Sequence, residues 1–275
     1  MKPNSFLSMT HPPAVMGVLN VTPDSFSDGG RHATLELALR HALSMQDEGA
    51  DIIDVGGESS RPGAAPVSVA EELDRVCPVI ERLRSASDIA ISVDTSTPAV
   101  MLEAVRLGAW MINDIRALSR EGALEAVSRC GVPVCLMHMQ GAPATMQQNP
   151  AYTDVVAEVE QFLIARTDAA VAAGISRSRI SWDPGFGFGK TIQHNLQLLQ
   201  ALPKFVASGH PLLVGVSRKS MLGHLTGRPV DQRLAAGLAV ATIAAQAGAA
   251  VIRTHDVRET IDAVKVAAAF VRGQL

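Results

Sequence analysis

The chain has 275 residues, 47% hydrophobic and 19% charged, enough to bury a large core in an ordinary globular protein. Its 24 Lys and Arg against 27 Asp and Glu leave a formal charge of −3, which argues against a general nucleic-acid binder. Seven Phe, two Trp and one Tyr are too few for a stacking platform along single-stranded nucleic acid. Short apolar runs then alternate with longer amphipathic stretches as far as the C-terminus. Strands are predicted at 15–20, 52–56, 90–94, 111–115, 134–138, 180–184, 212–217 and 251–255. Their nearly continuous hydrophobicity is what a parallel sheet covered on both faces requires. Helices are predicted over 35–48, 70–83, 97–107, 152–173 and 232–247, with Gly49 and Gly108 closing two helical stretches ahead of the next strand.

Eight strands, each followed by a helix, is the count of an α/β TIM (β/α)8 barrel, with a doubly wound open sheet as the competitor. Two features favour the barrel: no GxGxxG turn follows the first strand, and the unusual polar residues gather at the C-terminal ends of nearly all the strands. No linker or composition shift divides the chain, so residues 1–275 read as a single domain with 1–14 as an N-terminal extension and long βα-loops 1 and 2. Cys77, Cys130 and Cys135 lack CxxC spacing and are expected to be buried free thiols of a reducing compartment. The opening MKPNSFLSMTHPP lacks the apolar core of a signal peptide. The Ala-rich stretch 234–252 is broken by Gly237, Thr242, Gln246 and Gly248, which predicts a buried helix running into a strand rather than a membrane span. A cytoplasmic protein is expected.

The strand ends carry Asn20, Glu58-Ser59-Ser60-Arg61, Asp94, Asn113-Asp114, His138, Asp183, Ser217-Arg218-Lys219 and Arg253-Thr254-His255. Any one of these has an ordinary explanation, as a helix N-cap or as a buried amide satisfying backbone groups. Eight polar strand ends converging on one rim read instead as a site. Arg61, Lys219, Arg253 and His255 suit phosphate, whereas Asp94, Asn113 and Asp183 suit the donor-rich edge of a flat heterocycle. The first loop, TPDSFSDGG at 22–30, carries Asp24 and Asp28, whose oxygens suit Mg²⁺ beside phosphate, although Pro, Asp, Ser and Gly also simply punctuate turns. The 12 residues from 22 to 33 are long for such a connection. DPGFGFGK at 183–190 fails the P-loop spacing, because Gly185 lies four residues before Gly189. Phe186 and Phe188 offer an aromatic wall there, with packing into the rim as the plain alternative for Phe186. His138 reads equally as a satisfied core histidine. No zinc-ligand spacing and no GxSxG motif is present.

MGVLNVTPDSFSDGG (16–30) and DIIDVGGESSRPGA (51–64) resemble the two signature segments of the dihydropteroate synthase family. ISVDT (91–95), INDI (112–115), LMHM (136–139), DPGFGFGK (183–190), GVSRKS (215–220) and RTHDV (253–257) resemble its other strand ends, in the family's order. Ser60 stands where many members carry Thr, a swap that keeps the hydroxyl. The resemblance implies a transferase of folate biosynthesis that joins 6-hydroxymethyl-7,8-dihydropterin diphosphate to p-aminobenzoate and releases diphosphate. It further implies a TIM barrel, Mg²⁺, a homodimer and competition by sulfonamides.

By the same resemblance, the pterin meets Asp94, Asn113, Asp183 and Lys219, with Ile115, Met137 and Gly215 along its faces. The diphosphate meets Asn20, Arg61, Arg253 and His255, with Mg²⁺ at Asn20 and Asp28. Phe26, Ser60, Arg61, Pro62, Phe188, Lys219 and Ser220 enclose p-aminobenzoate. The catalytic set is Asp94, Asp183, Lys219, Arg253 and His255. The expected mechanism is a dissociative displacement, in which the cations stabilise the leaving diphosphate and Asp94 and Asp183 favour the pterin-methyl cation. Two alternatives stand beside it: a pterin-binding domain of a corrinoid methyltransferase, which has no use for the rim cations as a set, and a synthase paralogue that binds without turnover. The helices near 234–247 and 261–270 are candidates for burial against a second chain.

Overall fold

The computed structural model describes residues 12–22, 30–59, 67–143 and 145–273. Strands β1 (Ala14–Asn20), β2 (Ile52–Gly56), β3 (Ala90–Asp94), β4 (Met111–Asp114), β5 (Val134–Met137), β6 (Ile180–Asp183), β7 (Leu213–Gly215) and β8 (Val251–Thr254) form one sheet. Its order is β6-β5-β4-β3-β2-β1-β8-β7, with every pairing parallel. The remaining seam is bridged at Trp182↔Leu212, where the Trp182 N–H donates to Pro211 O at 2.9 Å. The sheet is thus a nearly closed TIM barrel, as the strand count predicts.

Ten helices are described: α1 (Gly30–Asp47), α2 (Val69–Ala86), α3 (Pro98–Arg106), α4 (Ala123–Cys130), α5 (Val155–Ala172), α6 (Ile192–Gln200), α7 (Leu202–Val206), α8 (Ser220–Thr226), α9 (Leu234–Gln246) and α10 (Val257–Arg272). β6 and β7 are each followed by two of them rather than one. Local chemistry sets several starts. Ser68 and Glu71 form a reciprocal capping box on α2, Pro98 opens α3, and Asp154 caps α5 through the N–H groups of Val156 and Ala157. Gly49 and Gly108 take φ of +104° and +107° where the chain leaves α1 and α3, which is the conformation the sequence assigns them. α9 does run into β8 as a partly buried helix, and no described helix is long and apolar enough to cross a membrane.

Every strand but β6 divides its apolar side chains between two cores. Val15, Leu19, Ile53, Val55, Ile91, Val93, Ile112, Val134, Leu136, Ile180, Trp182, Val214 and Ile252 turn outward against the helices. Ala14, Met16, Ile52, Ala90, Met111, Cys135, Leu213 and Val251 fill a smaller apolar plug inside the barrel. The alternation of two continues inward of the plug, so positions two and four residues further along each strand also face the axis. Those positions are where apolar residues give way to Asp54, Asp94, Asn113, Asp183 and Arg253.

Three expectations need correction. Cys77 and Cys130 are half-buried and only Cys135 is fully buried, because the first two sit on helices and Cys135 lies inside the barrel. α1 begins at Gly30, which shortens the first loop. β7 ends at Gly215, because the chain turns immediately, with the Lys219 N–H on Val216 O at 3.2 Å.

Beyond β4 the chain holds Ala117 and Leu118 at φ of 49° and 58°, which non-glycine residues rarely adopt. Fully buried Asp114 holds this turn: it accepts from Ser96 Oγ and, at 2.8 Å, from the N–H groups of Arg116 and Leu118. Asp114→Ala leaves all three donors without that acceptor and is expected to cost about 3 kcal/mol. Chemical denaturation checks this; a loss below about 1 kcal/mol would show that the carboxylate does not hold the turn.

Candidate active site

Arg253, near the end of β8, reaches across the barrel mouth. Its Nε donates to Asp54 Oδ2 at 2.7 Å and its Nη2 to Asp94 Oδ2 at 2.9 Å. Asn113 Nδ2 donates to the same Asp54 oxygen at 3.1 Å. Asp54 is fully buried, while the side chains of Asp94 and Arg253 keep 16% and 21% of their exposure, so this ion-pair chain runs from the interior up to the rim. Burial works against the charge on Arg253, yet Asp54 and Asp94 together hold its pKa above the ordinary value. Burial pushes Asp94 up to about 7, with Arg253 opposing the rise and Asp54 adding to it.

Asp183 ends β6 and accepts the Gly185 N–H at 2.7 Å. Burial raises its pKa, and Lys219 is the main opposing charge. Lys219, at the start of α8, is pushed down to about 8 by burial against the pull of Asp183. Its Nζ lies 4.3 Å from the centre of the Phe188 ring and also donates to Phe186 O. The barrel floor thus holds buried acids interleaved with cations, Arg253 between Asp54 and Asp94, and Lys219 and Lys190 beside Asp183. Asp54 Oδ1 and the Oγ of Ser92, its register partner on β3, are buried and find no hydrogen-bond partner among the described residues.

Other predicted residues fall around this centre. Asn20 ends β1 in register with Gly56, which is in register with Asp94 in turn; a Cβ on Gly56 would lie 3.6 Å from Asn20 Oδ1. Met137 pairs with Asp183, and Gly215 pairs with Arg253 and leaves room for its stem. Ile115 and Met137 are buried just at the strand ends. His255 sits at the rim with its N–H and its Nδ1 within 3.2 and 3.1 Å of Ser217 Oγ. Ser220 is exposed on the first turn of α8. Phe188 is half-buried with its ring against Lys219, whereas the Phe186 side chain is wholly buried in the core. Asp24, Phe26, Asp28, Ser60, Arg61 and Pro62 lie outside the described residues.

The sequence reading missed Asp54 and Lys190. A carboxylate in the middle of the apolar run IIDVG, at the same parity as Gly56, was the available signal for Asp54. Lys190 was weighed only as part of a phosphate cradle. It is instead buried against His138, which is the satisfied core histidine: burial and then Lys190 hold it down at about 3, so it stays neutral.

The position of Asp94 gives a pH test. Its unfolded value lies near 4 and its native value about 7, so between these the folded protein keeps a proton that the unfolded chain has lost. Its contribution to stability therefore falls as pH rises from 4 to about 7 and levels off above. Asp94→Asn is expected to flatten that fall in denaturation curves taken across this range. An unchanged slope would show that Asp94 does not titrate there.

Known proteins place this arrangement in a family. A model of the pterin binding enzyme family matches residues 16–255. The dihydropteroate synthase of Escherichia coli strain K12 is 55% identical over 260 residues, covering 94% of this chain and 92% of that protein. Three solved structures superpose closely. The Yersinia pestis dihydropteroate synthase with a sulfonamide drug complex has a TM-score of 0.90 and 53% identity, covering 94% of each chain. The Xanthomonas albilineans enzyme with 4-aminobenzoic acid has a TM-score of 0.89 and 53% identity, covering 94% of this chain and 93% of that one. The same enzyme in complex with 7,8-dihydropteroate has a TM-score of 0.87 and 50% identity, covering 96% and 95%. With the strand-end residues in one barrel mouth and identity of this order over nearly the whole chain, the protein belongs to the pterin binding enzyme family and, within it, to the dihydropteroate synthases.

Proposed function

We propose that this chain condenses 6-hydroxymethyl-7,8-dihydropterin diphosphate with p-aminobenzoate to give 7,8-dihydropteroate and diphosphate, as a transferase of folate biosynthesis. The observation that carries the chemistry is the pair of carboxyl groups, Asp94 and Asp183, held in buried surroundings at the barrel floor. Burial raises the pKa of both Asp94 and Asp183, which expresses the cost of keeping them ionised. A flat ring with a donor-rich edge, or one developing positive charge, lowers that cost. Asn113 and the Asp54 carboxylate beneath Arg253 complete the pterin site, with Ile115, Met137 and Gly215 around it.

Loss of diphosphate leaves a cation on the pterin methyl carbon, and the desolvated carboxylates favour it more than they favour the neutral ground state. The anion departs toward the rim, where Asn20, Arg253 and His255 are assigned to meet it, and Arg61, outside the described residues, is assigned the same role. Nη1 of Arg253 has no hydrogen bond to the described residues and is left for this contact. Phe188, Lys219 and Ser220, with Phe26, Ser60, Arg61 and Pro62, hold p-aminobenzoate in line with that carbon. Its weakly basic amine then needs positioning more than deprotonation.

The described residues hold no group of three or more His, Cys, Asp or Glu side chains able to cage a metal ion. One amide oxygen at the rim, Asn20, fits a Mg²⁺ bound mainly through substrate phosphates and water, and Asp28 is proposed to join it. When bound, the ion neutralises charge on the departing diphosphate. The same reading makes the protein a cytoplasmic homodimer. Exposed Leu234 and Ile243 on α9 and Val266 and Phe270 on α10 support a second copy at that face. Competition by sulfonamides at the p-aminobenzoate site follows from the family.

Purified protein is expected to release diphosphate with the pterin diphosphate and Mg²⁺, and to form dihydropteroate when p-aminobenzoate is added. Pterin binding without release in either case would make it a non-catalytic paralogue. Asp183→Asn is expected to weaken pterin diphosphate binding about 100-fold by calorimetry; near-normal turnover sinks that assignment. Phe188→Leu is expected to raise KM for p-aminobenzoate about 5-fold with little change in pterin affinity. An unchanged KM removes Phe188 from the subsite.

A further inference from the structure

The segment between β6 and α6 has an arrangement the reaction scheme leaves unused. Five consecutive backbone carbonyls, residues 185 to 189, each accept a side-chain hydrogen bond. Lys190 Nζ donates to Gly185 O at 2.8 Å and to Phe188 O at 3.0 Å. Lys219 Nζ donates to Phe186 O, Gln147 Nε2 to Gly187 O, and Tyr152 Oη to Gly189 O at 2.8 Å. A turn rich in glycine would ordinarily be soft; here it is tied at every residue.

Lys190 is central to this. It is 3% exposed, and beside the two carbonyls its third close partner is His138 Nδ1 at 2.9 Å; burial pushes its pKa well down, and these three acceptors favour its protonated form. His138 accepts because it is neutral. The loop also seats directly on the end of β5: a Cβ at Gly185, φ +69°, would lie 1.8 Å from His138 O. Lys190 thus brackets Phe186 and Gly187 from both sides. The two groups that locate the Lys219 ammonium on this loop are the Phe186 carbonyl and the Phe188 ring, both inside the span it ties down.

We propose that Lys190 is a positioning residue for the p-aminobenzoate step: by holding the carbonyls of Gly185 and Phe188 it sets the place of the Phe188 ring and, through Phe186, that of Lys219. The inference rests on the reading above in which Phe188 and Lys219 enclose p-aminobenzoate. It predicts a split between the two substrates. Asp183 and Asn113 belong to strands and keep the pterin site when the loop loosens, whereas the aromatic wall moves, and a displacement near 1 Å is enough to cost a large factor.

Lys190→Met keeps an unbranched stem and removes all three donors. The expected result is a rise of about 10-fold or more in KM for p-aminobenzoate. The calorimetric Kd for the pterin diphosphate, taken without p-aminobenzoate, stays within about 3-fold. A purely structural lysine would lower the melting temperature and leave that ratio alone. A folded variant with unchanged p-aminobenzoate KM, or with both constants raised by the same factor, overturns the proposal. If Lys190→Met does not fold, Tyr152→Phe decides, since it removes only the donor to Gly189 O. A rise of about 3-fold in p-aminobenzoate KM at unchanged pterin Kd supports the clamp, and no change overturns it. Failure of the unaltered protein to form dihydropteroate would overturn the functional reading itself, a result separate from any of these.

Discussion

Arg253 crosses the mouth of the barrel between two carboxylates, Asp54 below and Asp94 above, and the remaining polar residues of the site are arranged around that cation. Buried ions are costly unless their partners are fixed in good geometry. Here the partners come from β2, β3 and β8, which the register of a parallel barrel holds at set heights. Asn113 on β4 binds the lower carboxylate as well, so four strands meet in one hydrogen-bonded chain. Asp183 is met in the same way by Lys219 and Lys190, yet burial still raises the pKa of both Asp94 and Asp183.

The barrel makes this possible by separating its two jobs along each strand. Outward residues build the apolar layer beneath the helices, and inward residues build first a plug of small and medium apolar side chains and then the charged floor. Stability is drawn from the former, so the latter can hold desolvated acids whose pKa values are pushed up by burial. The loop after β6 joins the two systems. Its carbonyls are tied by side chains from the segment after β5, from its own end and from the segment after β7, so the Phe188 ring, the proposed wall for p-aminobenzoate, shares supports with Lys219.

Much of this was legible in the chain. Eight apolar runs predicted eight strands to within one or two residues at nearly every end, and Gly49 and Gly108 marked helix ends because only that residue type takes their backbone angles without strain. The polar strand ends named the rim, whereas their division by charge type did not foresee that Arg253 and Lys219 lie among the acids. Less legible were residues whose role depends on partners far away in sequence. Asp54 looked like one polar residue in a strand; its meaning comes from Arg253, 199 residues later. Lys190 looked like the end of a glycine-rich turn, yet its contacts are His138 and the carbonyls behind it. Phe186 and Phe188 both offered an aromatic wall in the sequence, with packing as the alternative for Phe186, and the structure buries Phe186 wholly and Phe188 only in part.

The sequence by itself determined the elements, their parallel order and the family, because hydrophobic runs, helix caps and long signature segments are local properties. The tertiary structure alone decided which carboxylates share Arg253, which oxygens are left desolvated and what holds the loop after β6. Those are matters of distance between segments that the chain keeps far apart, and closing the barrel brings them within hydrogen-bonding reach.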